Sequence, residues 1–205
     1  MKMRTEEANP KDYQIKVNLW VDFIEIFSIF ASEIWKMYTF DKIRDGVYAV
    51  RYPDEEDNVL DKLLDRWNDT FYLRQFFRNK NKIKTYFEID DINVAVQDTI
   101  EDAAYMEDVI LNGRQDELDE MFQPLSREDS TIVTYSRRKA RNWEREDHDS
   151  WLRIYAIKLD PGVYVITGGA IKLARKMQDA VATSSELQRL NDLKQYFVDN
   201  GALVL

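Results

Sequence analysis

The chain contains no cysteine and a single histidine, His148. The first absence excludes disulfides and thiolate metal sites, and the second excludes metal cages built from several imidazoles. No metal and no cofactor is therefore expected, and a reducing cytoplasm is the expected home. No stretch reaches about 18 uninterrupted apolar residues, so a membrane-spanning helix is not expected. The apolar run near the N-terminus starts too far in and carries too many acids for a secretory signal. Neither a repeat nor a low-complexity linker divides the sequence. Cations are outnumbered, 29 Lys and Arg against 38 Asp and Glu, and the net charge of −9 taken as a sum disfavours a polyanionic partner.

What is present is aromatic and apolar. Of 205 residues, 44 % are hydrophobic and 13 % aromatic, enough for one compact domain with an appendage and too much for a disordered chain. The charge is also unevenly spread. Between Arg137 and Lys176 there are ten Lys and Arg against five acids, a balance of +5; the remaining 19 cations and 33 acids give −14. An acidic body thus carries one basic segment, which includes Arg137, Arg138 and Lys139.

The segment's centre is the stretch Trp151 to Met177, WLRIYAIKLDPGVYVITGGAIKLARKM. Two β-branched and aromatic runs, Leu152 to Leu159 and Val163 to Thr167, flank Asp160-Pro161-Gly162, so a hairpin is predicted. Apolar residues occupy both faces of the first run, which places it centrally in a sheet covered on both sides. Gly168-Gly169 then allows a bend, with Lys172, Arg175 and Lys176 within the next two helical turns.

Upstream, residues from Tyr13 to Trp35 form a dense apolar run, which reads as a helix that needs a cover: the body of the protein, a second copy, or a membrane surface. Met37 is an alternative start, dividing the chain into an N-terminal extension, 1–36, and a main domain, 37–205. Gly46 to Tyr52 reads as a strand, with the acids of DEED in the first turn of a helix that follows. That helix presents Val59, Leu60, Leu63, Leu64 and Trp67, and Thr70 caps a second with Leu73, Phe76 and Phe77. Arg78, Lys80, Lys82 and Lys84 read as solvated loop. A helix from Asp90 or Asp91 to about Asn112 carries Ile92, Val96, Ile100, Ala103, Met106 and Ile110 inward and Glu101, Asp102, Glu107 and Asp108 outward, and a further turn or two precedes Pro124. Ile132 to Tyr135 is a candidate short strand, and the mixed charges through Asp149 suggest an exposed, mobile segment. Thr183 and Glu186 fit a capping box for a last helix lined by Leu187, Leu190, Leu193 and Phe197.

An R-I-Y strand, a short turn, a second apolar strand ending in a small residue, a lysine soon after and a closing helix, Trp151 to Gly201, resemble the C-terminal half of the RelE/ParE toxin superfamily, in its phage-derived, HigB-like branch. Gly46 to Asn79 is a weaker echo of that branch's opening strand and helices. The resemblance implies an α+β fold: a small antiparallel RelE-like sheet flanked by helices, here with a helical insertion at about 90–122. It implies the toxin of a toxin–antitoxin system, a metal-independent mRNA endoribonuclease acting on the ribosome, with a helix-turn-helix antitoxin as partner. A gyrase inhibitor like ParE and a catalytically inert interaction protein are the alternatives. Carried over, Arg153 clamps phosphate, Lys172 stabilises charge, Tyr155 or Tyr164 orients a base, and Arg175 and Lys176 match a basic tail that grips RNA with Arg137, Arg138 and Lys139. A homodimer through the N-terminal helix is a further expectation. Other chemistries lack their patterns: Gly168-Gly169 has no phosphate-loop context, and Ser126, Ser136, Ser150 and His148 have no nucleophile elbow or pocket around them.

Overall fold

The computed structural model describes residues 38–79, 87, 89–132, 134–146, 148–173 and 181–201, with side chains in the last helix from 184 onward. All but Tyr38 fall in the unit Thr39–Leu205. The apolar run Tyr13 to Trp35 with its expected helix and dimer contact, the alternative start at Met37, the loop cations Lys80, Lys82 and Lys84, and Arg175 and Lys176 lie outside the described residues.

The fold is α+β: among the described residues, a six-stranded sheet and five helices. The strands are β1 (Thr39–Arg44), β2 (Val47–Arg51), β3 (Phe122–Pro124), β4 (Ser136–Ala140), β5 (Leu152–Asp160) and β6 (Val163–Ile171). Their order is β1-β2-β6-β5-β4-β3, antiparallel except for β2 beside β6. The helices are α1 (Val59–Asn68), α2 (Thr70–Arg78), α3 (Ile92–Asn112), α4 (Gln115–Met121) and α5 (Val181–Asn200). No described helix is long and apolar enough to cross a membrane.

The predicted hairpin is the centre of the sheet. β5 is buried along nearly its whole length, because its apolar residues on both faces meet helices on both sides. Gly168 and Gly169 show how the two layers are pressed on. A Cβ at Gly168 would come 1.8 Å from Glu186 Oε2 of α5, whereas a Cβ at Gly169 would come 2.8 Å from Leu63 Cδ1 and 3.2 Å from Trp67 of α1. Adjacent strand residues point to opposite faces, so α5 covers one face and α1 the other. The glycine pair therefore sits inside β6 and admits two helices; it is not the bend after a strand expected from the sequence.

Further differences have local causes. β1 went unrecognised, although the turn Asp45-Gly46 joining it to β2 is a strong hairpin signal; Gly46, at φ +77°, packs against the carbonyl of Gly162. The DEED acids lie ahead of α1, whose N-cap is Asn58, accepting from the Leu60 and Asp61 N–H groups at 2.9 and 3.1 Å. Asp69, not Thr70, caps α2. Asp91 caps α3 as expected, but Asp102 on that helix is fully buried, accepting from Arg145 Nε and Asn142 Nδ2 at 2.9 Å each. Arg145 also bridges Asp98 and Glu101, so the segment expected to be mobile is tied to α3. The strand expected at 132–135 is instead β4, SRRKA, paired along β5. Helix α5 spans Val181–Asn200, so Thr183 and Glu186 both stand within it and Thr183 is not its N-cap position; Leu190, Leu193 and Phe197 are buried as predicted.

Candidate functional site

The register brings four chemistry-bearing residues onto one face. Lys139 on β4 stands opposite Tyr155 on β5, and Tyr155 stands opposite Gly168 on β6. Two pairs further along, Arg153 faces Ala170. Directly opposed residues share a face, and alternation along each strand puts Arg137, Lys139, Arg153, Tyr155 and Ile157 together on the α5 side. Arg141 follows β4 two residues beyond Lys139, and its charge acts on both Lys139 and Arg153.

Each group is held differently. Lys139 is half-buried and has no hydrogen-bond or ion-pair partner among the described residues. Burial, and then the charges of Arg153 and Arg141, push its pKa below the usual lysine value. Arg153 is 9 % exposed; its Nη1 donates to the carbonyls of Ser150 at 2.5 Å and Leu152 at 2.6 Å. Burial first and Arg141 second push its pKa down to about 10, so it stays cationic at neutral pH. Arg141 pairs with Asp149 at 2.9 Å and lies 3.8 Å over the Trp143 ring, while its buried Nε has no partner. Tyr155 is 1 % exposed, and its hydroxyl is buried without a partner. Burial raises its pKa, with Arg153 opposing and Glu186 adding to the rise.

The other expected site residues are placed elsewhere. Lys172 follows β6 directly, and its N–H donates to the Trp151 carbonyl at 2.8 Å. Arg137 shares the face but is bound to Asp129 at 3.0 Å and to Asn191 of α5 at 3.0 Å. Arg138 and Tyr164 belong to the opposite face, where the Arg138 Nε donates to Ser136 Oγ at 3.0 Å. Tyr164 stacks on Phe122, donates to Asp119 beside Lys158, and is 0 % exposed, so its ring is closed to a nucleic-acid base. Two members of the site were not singled out from sequence. Arg141 was discoverable, since Arg137, Lys139 and Arg141 recur at the two-residue period of a strand; Glu186, read as a cap, carried no local sign of burial.

Lys139, Arg141 and Arg153, of which only Arg141 is matched by a carboxylate among the described residues, act on one another and concentrate positive charge where an anion is favoured. Among the described residues no three His, Cys, Asp or Glu side chains are grouped to hold a metal ion. No protein-family model, no curated protein and no solved structure matches the chain.

Proposed function

We propose that the chain is a RelE-like toxin of a toxin–antitoxin pair, cleaving mRNA on the ribosome in the cytoplasm and neutralised by a helix-turn-helix antitoxin. The observation that carries this reading is Lys139: an amine without a partner among the described residues and with a depressed pKa, beside Arg153 on the same sheet face and under the charge of Arg141 just beyond β4. RNA cleavage needs a base for the 2′-hydroxyl and cations for the phosphorane. Neutral Lys139 takes the 2′-hydroxyl proton; the 2′-oxygen bonds to phosphorus while the bond to the 5′-oxygen breaks. Arg141 and Arg153 hold the added negative charge, and solvent returns a proton to the departing 5′-oxygen. The products are a 2′,3′-cyclic phosphate and a 5′-hydroxyl. Lys172, at the end of β6, extends the cationic surface, and Tyr155 positions Arg153 and Lys139 by packing between them. The test is induction in cells with mapping of RNA 5′ ends: growth arrest with new ends, lost in Lys139→Ala, is expected, and arrest without new ends rejects the nuclease.

A second reading has its own observation. Arg153 turns its guanidinium onto two main-chain carbonyls, and Tyr155 is closed off, as in a sheet built for packing. That favours an inert interaction protein of the same fold, for which induction produces neither arrest nor RNA binding. Arrest accompanied by blocked gyrase supercoiling points instead to a ParE-like inhibitor.

A further inference from the structure

A cavity of about 310 Å³ opens where β2 stops flanking β6. The pairing of β2 with β6 ends at Ala49 and Ile166, so among the described residues the outer edge of Gly168–Ile171 has no strand beside it. Helices α1, α2 and α5 close the space around that edge. The size is at the lower end of small-ligand pockets, roughly 300–1,000 Å³.

Its polar centre is Glu186. The carboxylate lies over Gly168 with the Gly169 backbone N–H close enough to favour its charged form, Oε1 accepts from Arg189 Nη1 at 3.4 Å, and Oε2 is buried without a hydrogen bond among the described residues. A buried carboxylate oxygen left unpaired is costly, and the cost is removed by a ligand that donates to it. The walls are aromatic: the Tyr72 and Phe76 rings stack with centroids 6.3 Å apart beside the edge of Trp67. The lining also carries three cations, Lys62, Arg66 and Arg189, and a second carboxylate, Glu55, which pairs with Lys62 at 2.7 Å and whose Oε2 is likewise buried without a hydrogen bond. Arg66 is exposed, lies 5.6 Å from the Tyr72 ring centre and forms no ion pair among the described residues, and Arg189 lies 4.9 Å from the ring centre of Tyr52.

These features select a ligand with adjacent N–H donors on a planar ring and an anionic tail. Guanine has two such donors, N1–H and the exocyclic amine, whereas adenine presents a lone pair at N1 that repels a carboxylate. With three cations, Lys62, Arg66 and Arg189, against two carboxylates, Glu55 and Glu186, the lining is net positive, which disfavours a positively charged occupant such as an arginine side chain. We propose that this cavity binds a guanine nucleotide, its base donating to Glu186 between the aromatic walls and its phosphate on Arg66 and Arg189. The nucleotide is either a free 5′-phosphate or a guanosine within RNA; the second source rests on the RNA reading above.

The experiment titrates the full chain with GMP, IMP, AMP and a five-nucleotide RNA containing one guanosine, by calorimetry and by tryptophan fluorescence, which Trp67 reports. Saturable GMP binding is expected, about tenfold weaker for IMP, which lacks the amine, and weaker still for AMP. The isosteric Glu186→Gln weakens GMP by about 10–100-fold, the range for losing a hydrogen bond to a charged group. Arg66→Ala, at an exposed position where folding is safe, weakens GMP more than guanosine. Binding of RNA without GMP, or of GMP without RNA, assigns the source and sustains the proposal. No binding by either, equal binding of AMP and GMP, or an unchanged Glu186→Gln overturns it. Growth arrest with no guanine binding overturns this site alone, and guanine binding without growth arrest overturns the toxin alone.

Discussion

Glu186 costs stability where it serves the cavity. Burial raises its pKa above the ordinary carboxylate value of 4.5, with Glu55 adding to the rise and Arg189, Arg66 and the Gly169 N–H only partly opposing it. A raised folded pKa means that the wild type is favoured while the group is protonated, below the unfolded value, and loses stability as pH rises through the folded value. Glu186→Gln does not titrate there, so its melting temperature exceeds that of wild type at neutral pH, and the gap closes in acid; thermal denaturation across pH 3–8 reads both limbs. Lys139 gives the opposite handle. Its folded pKa is depressed, so the neutral amine that acts as base is populated at a lower pH than for an ordinary lysine. Cleavage therefore increases with pH along a limb ending below 10.5, and Lys139→Arg removes that limb. Neither residue announced this in the sequence. Lys139 stood in a run of cations, and only the strand register shows which of Arg137, Arg138 and Lys139 share a face with Arg153.

At the scale of elements, periodicity was informative and charge was not. Helix α3 was legible because its buried residues Val96, Ala103, Met106 and Ile110 recur at helical spacing behind an Asp91 cap. The central hairpin was legible because β-branched runs flank Pro161-Gly162. The loop before β5 was misread, since a string of alternating charges looks the same whether solvated or paired across the fold. Arg145, whose side chain is 9 % exposed, holds that loop to α3 through Asp98, Glu101 and the fully buried Asp102. Removing it leaves a buried carboxylate without its countercharge, so Arg145→Ala costs about 3–5 kcal/mol, which lowers the melting temperature by roughly 6–20 °C. Adding Asp102→Asn recovers part of that loss, and a double-mutant cycle in urea measures the coupling. Recovery distinguishes a paired charge from lost packing.

For the whole molecule, the +5 segment of the sequence is much less basic once folded. Arg137, Arg141, Arg145 and Lys158 are each matched by carboxylates, Asp129, Asp149, the α3 acids and Asp119. Among the described residues, Lys139 and Arg153 remain to meet phosphate on the candidate face, joined by Arg141 once it exchanges Asp149 for a phosphate. With three phosphates neutralised on a single strand, the slope of log affinity against log salt is about −2, and fluorescence anisotropy with a short RNA between 50 and 200 mM salt measures it. A slope of about −7, the value for all ten cations of the segment, places the RNA on the unfolded sequence's basic count and away from this face. The sheet also has a consequence for how the chain is made. Tyr52, just after β2, donates to the carbonyl of Thr167, 115 residues later, and β2 finds its parallel neighbour only in β6. During synthesis the early hairpin and α1 wait, with an unpaired edge, until nearly all of the polypeptide has left the ribosome. Assembly is therefore late and slow, and a nascent chain halted before β6 has neither a finished cation cluster nor a cavity.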